Sequence, residues 1–126
     1  VLETPETKIF IGGDSGYDSH FKKIGEEFGP FDLAILENGQ YDEKWKYIHF
    51  LPEEVVKVAQ ELKAKRFMPV HNSKFKLGNH TWDDPMKRVI IEAEKVGMPY
   101  VTPKIGETFF LKDSTQNFTK WWEGLN

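Results

Sequence analysis

Short apolar runs and helical-period stripes alternate along the chain. Residues 8–11 (KIFI) form a run ending on Gly12-Gly13, too short for a helix and suited to a buried strand. Phe21, Ile24 and Phe28 then recur at helical spacing, with Asp18 or Ser19 placed to cap the helix and Gly29-Pro30 to stop it. Residues 31–36 (FDLAIL) read as a second buried strand, and a polar and aromatic loop covers 37–50. Pro52, Glu53 and Glu54 suit a helix N-terminus, and Val55, Val56, Ala59 and Leu62 make the inner stripe of a helix reaching about residue 63. Residues 66–70 (RFMPV) are a third strand ending at His71. A helix opened by Asp83 or Asp84 with Pro85 carries Met86, Val89, Ile90 and Ala93 inward and closes at Gly97. Residues 100–102 and 108–111 are read as two short strands, and the tail holding Trp121 and Trp122 as a last helical turn or two.

The predicted order is β-α-β-α-β-α-β-β with a terminal helix, an α/β layered domain in one unit spanning residues 1–126. In parallel sheets of this kind ligands bind beyond the carboxyl ends of the strands. That rule gathers Asp14 after the first strand, the 37–50 loop after the second, and His71 after the third. Carboxylate oxygen and neutral imidazole nitrogen are both ligands for zinc and other first-row metals. Each residue also has a plainer reading, Asp14 as a turn residue in Gly-Asp-Ser-Gly and His71 as a hydrogen-bonded strand end. His49, in the long loop, is placed either as a general acid or donor near the site or as a residue fixing the loop backbone. Tyr41, Trp45 and Tyr47 either line a substrate pocket or pack as a lid. His20 reads as a surface residue and His80 as part of a helix entry.

Composition narrows the chemistry. The chain has 126 residues, no cysteine and a formal charge of −3, which excludes disulfides, zinc–thiolate sites and thiol nucleophiles and leaves no basic footprint for nucleic acid. No apolar run approaches a membrane span and no secretory signal is visible, so a cytoplasmic location is the expectation. The absence of an initiator Met at Val1 points to part of a longer chain or to a processed product.

The segment "IFIGGDSGY", followed by "FGPFDLAIL", "IHFLPEE", "MPVHNSKF" and "TWDDP", resembles the second half of the metallo-β-lactamase superfamily, in particular the branch of N-acyl-phosphatidylethanolamine-hydrolysing phospholipase D and bacterial metal-dependent hydrolases. The resemblance spans roughly residues 8–85. It implies half of an αβ/βα sandwich, with Asp14 as the carboxylate bridging two metal ions, His71 as the last histidine ligand, and His49 beside the metals near the substrate phosphate. It also implies hydrolysis of a phosphodiester, lactone or related ester by a hydroxide held between two divalent ions, zinc foremost. The family's HxHxDH motif is missing, since His20, His49, His71 and His80 contain no HxH pair. The expectation is therefore a C-terminal half, inactive alone and binding zinc weakly or not at all. Its missing N-terminal half is a partner, and its substrate is a small or lipid-like molecule. Half a sandwich leaves one apolar sheet face open, to be covered by the Trp121–Trp122 tail or by a second copy in a homodimer. A different class of function, a non-catalytic α/β module binding phosphate or another ligand on the glycine-rich loop 12–16, is the alternative.

Overall fold

The structure, a computed structural model, describes residues 1–125. Its elements are β1 (Leu2–Thr4), β2 (Thr7–Ile11), α1 (His20–Glu27), β3 (Leu33–Glu37), a 3-10 turn at Glu43–Trp45, α2 (Pro52–Glu61), β4 (Phe67–Val70) and α3 (Asp84–Val96). They build one sheet in the order β1-β2-β3-β4, with β1 antiparallel to β2 and the other pairs parallel. The β2-α1-β3 and β3-α2-β4 crossovers advance in one direction across the sheet. Right-handed crossovers of that kind put both helices on one face.

Sheet register decides which residues that face buries. Phe10, Ala34 and Phe67 are lateral neighbours, and with Leu36 they join the core beneath Val55, Val58, Ala59, Met86, Val89 and Ile90 of the helices. Their alternate neighbours Ile9, Ile35, Met68 and Val70 are only half-buried, and Ile11 is 56% exposed. Leu33, also on that second face, is buried. One face thus carries helices and the other remains an apolar surface without a helical layer.

Four points differ from expectation. The sheet has an unforeseen edge strand, β1, which pairs Leu2–Thr4 with Thr7–Ile9 through a tight turn at Pro5 and Glu6. Residues 100–102 make a single parallel bridge, Tyr100 to Phe67, because Pro103 follows at once and has no N–H to extend a ladder. Residues 108–111 are an irregular segment held by side chains. The Phe110 N–H donates to Gln116 Oε1 at 2.9 Å, Gln116 Nε2 donates to the Thr108 carbonyl at 2.6 Å, and Arg66 donates to the Leu111 carbonyl. Among the described residues the tail forms turns and no helix: Trp122 is 1% exposed within the core, and Trp121 donates its Nε1–H to the Thr102 carbonyl at 3.1 Å.

Candidate metal centre

Because β2, β3 and β4 run parallel, their carboxyl ends share one edge. The ladder continues just past them, through Gly12 N–H to the Ile35 carbonyl at 2.9 Å and Asn38 N–H to the Val70 carbonyl at 2.8 Å. Gly13 then takes φ +69°, a left-handed turn that glycine tolerates without strain, and Asp14 follows it. On the far strand His71 itself sits at φ +65° and Ser73 at +67°, a region costly for residues with a Cβ and common at functional sites. What holds His71 there is close packing. A Cβ on Gly39 would lie 1.9 Å from the His71 carbonyl oxygen, so only glycine lets the two loops touch. Gln40 ties the same loops, donating to the Phe75 carbonyl at 2.9 Å and accepting from Leu77 N–H at 2.8 Å.

The result is convergence. His71 Nε2 lies 3.7 Å from Asp14 Oδ1, and the His49 and His71 rings are nearly parallel with centroids 5.7 Å apart. Asp14, His49 and His71 each bring one ligand atom within 4.8 Å of the other two. Two ligands each about 2.1 Å from one ion stand at most about 4.2 Å apart, so the Asp14–His71 pair already fits a shared cation. Both side chains are about half exposed, and a carboxylate oxygen with imidazole nitrogen is a donor set suited to a divalent metal.

His49 reaches the cluster because its loop is organised locally. Asp42 caps the 3-10 turn by accepting from Lys44 N–H at 3.0 Å, and His49 N–H donates to the Trp45 carbonyl at 2.9 Å. Glu37, at the end of β3 and 2% exposed, accepts from Phe50 N–H at 2.6 Å and stands 3.4 Å from His49 Nδ1. Burial, reinforced by the Asp14 carboxylate, pushes the Glu37 carboxyl up to about 7. Burial also lowers the His49 pKa, with His71 adding to that shift and Asp14 opposing it.

Of the three aromatic candidates, Trp45 meets the site, its ring 6.2 Å from His49. Tyr47 is 81% exposed, and its backbone lies against Gly16 in the Asp14 loop. Tyr41 belongs to the scaffold. Its ring is stacked on His80 at 4.2 Å, its hydroxyl donates to Asp84, and it is 6% exposed. Tyr41 faces a separate cavity of about 510 Å³ with Asp42, Glu53, His80 and Arg88. His80 is indeed part of the α3 approach, with Nδ1 against the Thr81 carbonyl at 2.8 Å. Glu37 was missed, although an acid closing the apolar run FDLAIL was a visible signal of the same kind as Asp14 and His71. The glycine-rich loop fares poorly as an anion cradle: α1 starts only at His20, so no helix N-terminus opens onto residues 12–16.

A layered α/β sheet with acid and imidazole groups converging at its carboxyl edge defines the class, and sequence comparison fixes it. The profile of the Beta-lactamase superfamily domain matches residues 1–72, which include Asp14, His49 and His71. The chain belongs to the metallo-β-lactamase superfamily, a hydrolase fold family whose members imply a bound divalent metal. It is 59% identical over 71 residues to the outer membrane protein RomA of Klebsiella pneumoniae, a match covering 56% of this chain and 54% of RomA. It is 32% identical over 114 residues to N-acyl-phosphatidylethanolamine-hydrolyzing phospholipase D 1 of Caenorhabditis elegans, covering 84% of this chain and 32% of that protein. The fold is similar to the metallo-beta-lactamase fold protein YhfI of Bacillus subtilis, with a TM-score of 0.55 at 20% identity over 76% of this chain and 36% of that one. The chain therefore spans about half the length of RomA and about a third of the phospholipase and of YhfI.

Proposed function

We propose that this chain is the C-terminal part of a metal-dependent hydrolase acting on a phosphodiester or related ester, with zinc as the metal. The convergence of Asp14, His49 and His71 within 4.8 Å carries the reading. Asp14 and His71 would hold the metal, each presented from a strand end whose backbone is locked by the sheet and by Gly39. When bound, such an ion lowers the pKa of water and stabilises charge on the attacked group. His49, buried on one side and open on the other, orients the reacting group or moves its proton, and Trp45 shields the ring beside it. The remaining ligands, the HxHxDH set and one more histidine between it and the Asp14 strand, lie in an N-terminal half that covers the helix-free sheet face. Left alone, that face associates with a second copy.

Zinc titration followed by NMR of the histidine side chains tests this. Binding is expected to be weak, with a Kd above about 1 μM, because Asp14 and His71 give an ion only two of the three protein ligands that a catalytic zinc takes, and to disappear in H71A. A stoichiometric submicromolar site in this chain, or zinc binding indifferent to H71A, would overturn the reading. In a longer protein carrying the HxHxDH half, phosphodiester hydrolysis is expected and H71A is expected to abolish it.

A further inference from the structure

Glu37 and His49 face each other in a buried contact. Glu37 Oε1 and His49 Nδ1 are 3.4 Å apart, with side-chain exposures of 2% and 13%. His49 Nδ1 is buried without a formed hydrogen bond, and so is the second Glu37 oxygen, Oε2. A neutral imidazole carries its single proton on one nitrogen or the other. With Glu37 ionised, a proton on Nε2 would leave Nδ1 presenting a lone pair to a carboxylate oxygen, two buried acceptors with no donor between them, which is costly. A proton on Nδ1 turns the same contact into a charge-assisted N–H···O bond after a small rotation of the ring.

The same carboxylate oxygen already accepts the Phe50 N–H at 2.6 Å, so it clamps the chain immediately after His49 as well as facing its ring. From this juxtaposition we propose that Glu37 is a positioning residue: it holds His49 in the Nδ1–H form and turns the Nε2 lone pair toward the point shared by Asp14 and His71. His49 then acts there as an acceptor, able to take up a proton or bind a cation, in place of the donor role that its loop position suggested. A carboxylate behind a site histidine is a recurrent way of fixing tautomer and ring orientation. The role depends on the hydrolase reading of the cluster, whereas the tautomer does not.

The test is a long-range proton–nitrogen NMR correlation on the full chain with ¹⁵N-labelled histidine, in EDTA at about pH 8.5, above the ordinary histidine range. His20, His71 and His80 serve as internal references. In the wild type, His49 is expected to show Nδ1–H over Nε2–H by about tenfold, the scale of one hydrogen bond to a charged group. Glu37→Gln keeps an oxygen at the Oε1 position and is expected to preserve Nδ1–H, while Glu37→Met removes the acceptor and is expected to shift His49 to Nε2–H. An Nε2–H pattern in the wild type, or unchanged Nδ1–H in a folded E37M, would overturn the proposal. Should E37M fail to fold, the wild-type and E37Q spectra decide it. No metal or substrate enters the measurement, so a failed tautomer assignment and a failed zinc titration are separate results.

Discussion

Replacing Glu37 by Gln should change how stability depends on pH. In the folded chain this carboxyl titrates at about 7, against an ordinary value of 4.5, chiefly because burial disfavours its charge. Between those values the folded state binds a proton that the unfolded state has released. The protonated acid's stabilising contribution is therefore complete below the unfolded value and is lost as pH rises through the folded one. The shift corresponds to about 3 kcal/mol at 1.36 kcal/mol for each unit. Gln does not titrate, so this loss is absent from the variant. Any constant cost of burying its NH₂ cancels when slopes are compared. Urea unfolding of both proteins from about pH 5 to 8 in EDTA isolates the effect, since the other titrating groups are common to both. The free-energy difference is expected to move in favour of Gln by up to about 3 kcal/mol as pH rises. Parallel pH profiles would show that Glu37 is not held in a desolvated environment and would refute the reasoning.

Other perturbations probe the scaffold. G39A would place a methyl 1.9 Å from the His71 carbonyl oxygen, so a loss of about 3 kcal/mol or more is expected in thermal unfolding, with displaced His71 signals in NMR. W122A removes a core side chain that is 1% exposed and should cost about 3–5 kcal/mol by denaturant titration. Light scattering of this chain alone is expected to show self-association that weakens when Ile11, 56% exposed on the helix-free face, becomes Lys. A monomer at all concentrations would contradict that assignment.

Periodicity alone determined the three parallel strands, the three helices and the edge of the sheet where chemistry gathers, because strand and helix repeats are local properties of the chain. Pro52 and Gly97 marked helix boundaries for the same reason. Asp14 and His71 were legible as polar residues closing apolar runs. Their 3.7 Å approach was not, since it depends on sheet register and on the Gly39 contact between loops 32 residues apart in sequence. Tyr41 and Trp45 look alike in the sequence, yet the fold sends one beneath His80 and the other beside His49. Glu37 gained its role only when folding removed water from around it, and no local pattern records which side chains a folded chain will dry.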